Sequence, residues 1–191
     1  MVIFDKFIKM YEQVSSVCPA AYYHLKSIHC LKTFLTQEAF VTVVHAFVTS
    51  RLDHCNFLLY GISDYNINRH QLIQNSATRM VTNTWIFDHI THIFQNLYWL
   101  HVRHGIHFKI VLITRKSVND IVLECLCVLM SIRKSFRKLR SSSQILLQVP
   151  MSRRKIFGDC VLTVATPTLW NRLLVDIRNE NQINRKIIII V

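Results

Sequence analysis

The stretch from Thr36 to Gly61, TQEAFVTVVHAFVTSRLDHCNFLLYG, constrains the fold more than any other part of the chain. Its apolar residues Phe40, Val43, Val44, Phe47, Val48, Leu52, Cys55, Leu58 and Leu59 recur at intervals of three and four, the spacing of one face of an α-helix and not of a strand. Thr36 offers a side-chain oxygen to the first free amides, and Gly61 can take the left-handed conformation that stops a helix, so one long helix is expected between them. Burying each such side chain contributes about 1.5 to 3 kcal/mol only if other elements cover the face. A one-sided helix of this length therefore demands partners.

The flanking sequence supplies them at the same period. Ahead of it, Phe4, Phe7, Ile8, Tyr11, Val14, Val17, Cys18, Ala21, Leu25 and Ile28 form a second apolar face. Pro19 interrupts that face, and the lost hydrogen bond and steric clash predict a kink or two shorter helices meeting near residues 16–19. After Gly61, Ser63 or Asp64 is expected to cap a third helix that buries Tyr65, Leu72, Ile73, Ser76, Ala77, Met80 and Val81, with Arg69 and Arg79 off that face. Asp88 is expected to cap a short fourth helix with Ile90, Ile93, Phe94 and Leu97 inward and Trp99 at its exit. A fifth runs from about Leu100 to Ser117 with Val102, Ile106, Ile110 and Ile113 aligned, and Gly105 within it costs about 1 kcal/mol relative to alanine. Three glycines and three prolines in 191 residues suit helices on short loops and argue against a sandwich or barrel.

The second half is less regular. Residues 121–140 begin apolar and end as SIRKSFRKLR, a sixth helix with a basic end that places Arg133, Lys134, Arg137 and Lys138 on one side. Ile145, Leu147 and Val149 alternate, which reads as a short strand stopped by Pro150. Thr166 and Pro167 read as the cap and first residue of a helix through Trp170 to Leu174. The terminal KIIIIV is a β-prone tail. The expected architecture is mainly α: a helical bundle over 1–118, a variable basic helix or linker over 119–140, a small tail module over 141–178 with a short extended or β piece and a helix, and over 179–191 a tail that is disordered or unrelated to the rest.

Charge is distributed unevenly. Residues 1–102 carry seven Lys/Arg against six Asp/Glu, and residues 103–191 carry sixteen against five, so nearly all of the net +12 belongs to the second half. Such a surface either attracts a polyanion or is simply a solvated basic face. The candidate phosphate contacts are Lys109, Arg115, Lys116, Arg133, Lys134, Arg137, Lys138, Arg140, Arg153, Arg154 and Lys155. Interleaved aromatics (Trp99, Phe108, Phe157) could stack on bases, although aromatics at helical spacing usually fill cores.

Other chemistries find little support. The longest apolar blocks, 121–130 and 187–191, fall well short of the roughly 20 residues a spanning helix needs, and Asp5, Lys6 and Lys9 interrupt any secretory signal. The six cysteines form no C-x-x-C pair, which fits reduced thiols packed as small hydrophobes in a soluble, intracellular chain. His101, His104 and His107 recur every three residues but lack a supporting cysteine pair, so polar-face histidines are the expectation, with no metal and no cofactor. No two of the eleven carboxylates are adjacent, as two-metal phosphoryl chemistry would favour, and no nucleophile elbow is present.

Several strings together resemble a known family. HAFVTSRLDHCNFLLYGI, NRHQLIQNSATRMV, WLHVRHGIHFKI, LRSSSQILLQVP, and the run from Arg153 to Asn171 containing FGD and TPTLWN are similar to the region downstream of the polymerase core in LINE-type non-LTR retrotransposon reverse transcriptases, as in the chicken-repeat-one and related clades. The resemblance spans about residues 4–178, with a gap near 119–136. It implies a thumb-like helical region beside template and primer. The catalytic palm and endonuclease of those enzymes lie outside the matched region, so the chain is expected not to be an enzyme. Ser63, His101 and Leu174 stand where the family commonly has proline, Pro19 and Gly105 also depart from it, and together they suggest a truncated or decayed copy. The expected partner is an RNA or DNA backbone, with low specificity and no membrane. The alternative is a helical protein-interaction module that pairs through exposed apolar helix faces.

Overall fold

The computed structural model describes residues 10–119, 121, 126, 128, 130–133, 145–151, 162–175 and 178. It is mainly helical, as the apolar periods predict, and contacts divide it into two compact units, Met1–Gly105 and Ile106–Val191.

In the first unit, α1 (Tyr11–Leu31) packs chiefly on α4 (Asp64–Thr82), and the hydrophobic run of residues 37–53 packs beside them. Val14, Cys18, Ala21, Leu25 and Ile28 form the buried stripe of α1. The two shorter helices expected to meet near Pro19 do not form: α1 is one continuous helix with Pro19 inside it. Pro19 itself is exposed, so its ring does not crowd the core.

The long helix predicted over 36–61 is shorter and composite. It starts where expected, with Ala39 N–H donating to Thr36 Oγ1 at 3.4 Å. α2 (Gln37–Val44) continues through a π-helical turn, His45–Thr49, into α3 (Ser50–Asp53). The buried side chains Phe40, Val44, Val48 and Leu52 are each four residues apart. In a regular helix of about 100° per residue that spacing drifts by about 40° at each step, and the wider π turn takes back part of the drift. The helix ends at Asp53, eight residues early. His54 is extended, Cys55 is left-handed at φ 55°, and a 3-10 turn, Asn56–Leu59, returns Leu59 to the core. The run Asp53-His54-Cys55-Asn56 holds poor helix formers, and Asn56 Nδ2 donates to Asp53 Oδ1 at 3.4 Å, a local bond that competes with the helical pattern. Gly61 takes φ 77°, as its place after the turn requires.

On α4 the buried side is Asn66, Ile67, His70, Ile73, Gln74, Ala77, Thr78 and Val81, whereas Tyr65 and Leu72, expected inside, are exposed. The polar members are recruited by distant backbone. Gln74 Nε2 donates to Leu100 O at 2.8 Å, and Gln71 Oε1 accepts from Val102 N–H at 2.9 Å. The first amide of α6 (Val102–Val118) is thus capped by a side chain thirty-one residues away. Asn83, left-handed at φ 56°, closes α4. The short α5 (Thr91–Asn96) buries Ile93 and Phe94 with Ile90, and Leu97 and Trp99 pack against them. Asp88 does not cap it; its carboxylate accepts from Trp85 N–H instead. A Cβ at Gly105 would meet Asn56 Nδ2 at 3.7 Å, an ordinary contact, so close approach does not require glycine there.

His70 carries a pH prediction. It is buried, and desolvation holds its pKa below the ordinary histidine value, more than the hydrogen bond between Nδ1 and Asn66 O raises it, while Arg69 nearby lowers it further. As pH falls, the unfolded chain therefore takes the proton first. Stability should be constant above about pH 6.5 and fall below it, by at most about 1.4 kcal/mol per pH unit from this group. Urea midpoints at pH 7.5 and 5.5 should differ less in His70→Gln than in the parent; an equal difference would remove His70 from the account.

In the second unit, the later turns of α6 bury Ile106, Ile110, Val111 and Thr114, and α7 (Leu162–Arg172) brings Leu169 to Val111 and Phe108. α7 starts four residues before Thr166. Thr166 is therefore no cap: it lies inside the helix, fully buried, and Pro167 follows it within the second turn. The strand expected over 145–149 does not form: among these residues only Leu147 pairs, in an isolated antiparallel bridge with Ile132.

Candidate nucleic-acid interface

Lys109 and Lys116 are seven residues apart on α6, two turns along nearly the same face, and both are exposed. Arg115 lies on the other side. It is only 7% exposed, between Thr114 and Ser117, whose hydroxyls donate to the carbonyls of Ile110 (2.7 Å) and Ile113 (3.0 Å). The guanidinium expected to meet phosphate is thus turned inward, because the helix buries 110, 111, 114 and 117 and carries 115 with them.

Arg133 is exposed at the end of the bridged segment, where its N–H donates to Leu146 O at 2.8 Å and Gln148 N–H donates to Ser131 O at 2.8 Å. The opposite edge of the partner segment is held by α7. Asn171 Oδ1 accepts from Leu147 N–H at 3.0 Å, and Asn171 Nδ2 donates to Leu147 O at 2.8 Å. Trp170 Nε1 donates to Ile145 O at 2.9 Å. The amide of Asn171 thus stands in for a neighbouring strand, and the Trp170-Asn171 pair secures the segment on which Arg133 is mounted. Neither role is visible in the local pattern, although both residues belong to the TPTLWN string.

Lys134, Arg137, Lys138, Arg140, Arg153, Arg154 and Lys155 lie outside the described residues. Arg172, exposed in the last turn of α7, is a further cation that the basic runs do not single out. The five carboxylates of residues 106–191, Asp120, Glu124, Asp159, Asp176 and Glu180, lie outside the described residues. In the first unit, by contrast, Arg103 is paired with Asp64. Lys116 and Arg172 also sit favourably against helix C-terminal carbonyls, but Lys109 and Arg133 have no such reason to be there.

Phe157 lies outside the described residues, and the described aromatics among the stacking candidates side with the core. Trp170 is 2% exposed, Phe108 packs on Val111, and Trp99 packs on the Ile90, Ile93 and Phe94 cluster. The His101 ring lies 4.4 Å from that of Phe94 and 6.1 Å from that of His104. Burial, then the neighbouring His104, lowers the His101 pKa. Among the described residues no three His, Cys, Asp or Glu side chains converge as metal ligands would, and no helix is long and apolar enough to cross a membrane. No family model, curated protein or solved structure matches the chain.

Proposed function

We propose that this chain is a non-catalytic piece of the thumb-like region that follows the polymerase core in LINE-type reverse transcriptases, and that it grips the phosphate backbone of RNA or DNA without sequence choice. The observation that carries the reading is the exposure of Lys109, Lys116 and Arg133 in a stretch, residues 103–191, that holds sixteen Lys/Arg against five Asp/Glu. Each cation that neutralises a phosphate releases counterions, so affinity falls with salt. Three contacts to a single strand correspond to a loss of about 20-fold between 50 and 200 mM salt. The test is fluorescence anisotropy of a short unstructured RNA across that range.

A second reading, a protein-interaction module, is favoured by one turn. Arg79 Nε donates to Trp85 O at 3.2 Å, and Trp85 N–H donates to Asp88 Oδ2 at 3.2 Å. The turn so fixed displays Trp85, Ile86 and Phe87 at 79%, 73% and 94% exposure. That trio is the kind of apolar surface a partner protein would cover. Sedimentation velocity separates the readings. Self-association abolished by Trp85→Ser/Phe87→Ser supports the second, and a clean monomer at all concentrations removes its homotypic form.

A further inference from the structure

Two loops at one end of the first unit carry apolar side chains that the fold leaves uncovered. The loop after α1 displays Leu31 and Phe34 at 49% and 83% exposure, and the turn after α4 displays Trp85, Ile86 and Phe87. Lys32 ties the two loops together. Its Nζ donates to Met80 O at 2.7 Å and to Asn83 Oδ1, while Gln37 Nε2 donates to Val81 O at 2.6 Å, so the chain from 32 to 37 lies against the C-terminal end of α4. The five apolar side chains therefore leave the bundle at the same end.

The turn is built to hold its side chains out. Arg79 Nε and Nη2 donate to Trp85 O at 3.2 Å and Asp88 O at 3.4 Å, Trp85 N–H donates to Asp88 Oδ2 at 3.2 Å, and Asp88 N–H returns to Trp85 O at 3.2 Å. Much of the ordering cost of docking is thus met before a partner arrives.

Area and charge say which partner fits. A large aromatic side chain presents about 200 Å², so Phe34, Trp85 and Phe87 at these exposures offer about 500 Å², and Leu31 with Ile86 brings the total to about 700 Å². The largest apolar patch of an ordinary monomer is about 300 to 600 Å², and a standard interface takes about 800 Å² from each partner. The charges beside the patch cancel: across residues 29–40 and 79–92, Lys32 and Arg79 stand against Glu38 and Asp88. Such an end has no excess charge with which to attract a polyanion or an anionic membrane. It does suit a copy of itself, because apolar area meets apolar area and no surplus of like charge opposes the approach.

We infer that this end is a dimer interface, in which two copies of the chain bury Phe34 and the turn at 85–87 against each other about a twofold axis; the inference rests on the reading of the chain as a protein-interaction module and names its partner. Sedimentation velocity of the full chain tests it, over about a thousandfold range of loading concentration up to about 100 μM, since interfaces of this size bind at micromolar concentration or below. Salt at about 1 M, which screens charges beyond about 3 Å, keeps any bound polyanion from bridging copies. The chain should pass from monomer to dimer and stop there, because a twofold interface closes.

Trp85→Ser and Phe34→Ser should each raise the dissociation constant about thirtyfold or more, the effect of removing an aromatic anchor from an interface. Leu72→Ser removes an exposed apolar residue from the middle of α4 and should leave the constant within about twofold. All three positions are exposed, so the variants are expected to fold, which unchanged circular dichroism verifies. A ladder of species beyond the dimer, or a Leu72→Ser effect equal to that of Trp85→Ser, would overturn the inference. A monomer at every concentration would overturn the assignment of a second copy and leave the interaction-module reading to a different partner. Dissociation by Trp85→Ser but not by Phe34→Ser would keep that reading and overturn the two-loop surface.

Discussion

Trp170→Ala should cost the second unit about 3 to 5 kcal/mol, the range for deleting a fully buried large aromatic side chain. Trp170 is the largest fully buried side chain among the described residues, and its indole N–H satisfies Ile145 O. Its removal opens a cavity and orphans that carbonyl, two penalties that add. The damage should also reach the bridged segment. Leu147 is 2% exposed, its N–H and C=O both end on Asn171, and Gln148 N–H ends on Ser131. Amide exchange at Leu147 and Gln148 should therefore accelerate together in the variant. Denaturant melts that move by less than about 1 kcal/mol, or exchange that speeds up elsewhere but not there, would show that α7 does not hold the segment.

Neutralising Lys109 and Lys116 should weaken RNA binding at low salt and flatten its salt dependence. Each phosphate contact to a single strand contributes about 0.7 to the slope of log affinity against log salt, so Lys109→Gln/Lys116→Gln should reduce the slope by about 1.4. Glutamine is preferred to glutamate here because it removes the charge without adding repulsion. Both positions are exposed on α6, and stability should change little. Arg115→Gln makes the contrast. Arg115 is buried, so its loss should lower stability and leave the slope nearly unaltered. Should the Arg115 variant flatten the slope and the double variant not, the assignment of faces on α6 would be reversed.

The helical class was readable because apolar period and end signals agree over long stretches. Thr36 and the stripe Val14, Cys18, Ala21, Leu25 and Ile28 are local features, and they behave as local physics requires, whereas Gly61 takes its left-handed φ without being the residue that ends the helix. What was not readable depends on partners distant in sequence. Asn66, His70, Gln74 and Thr78 look like a solvent face, yet they are buried, and Gln74 is tied to Leu100. The pi turn at 45–49 and the break after Asp53 leave no periodic trace, since the apolar spacing continues through both. Thr166-Pro167 is a strong start signal in isolation, but helix α7 extends back to Leu162. At the candidate interface, Lys109, Lys116 and Arg133 are exposed as expected. Arg115 is not, because a basic residue one position from a lysine on a helix points about 100° away from it.

The most direct test of the central claim is the slope of log affinity against log salt for an unstructured single-stranded RNA. The account predicts measurable binding at 50 mM salt and a slope of about −2 or steeper for the parent chain, flattened by about 1.4 in Lys109→Gln/Lys116→Gln. No binding at 50 mM salt, or an affinity that salt leaves unchanged, would contradict it.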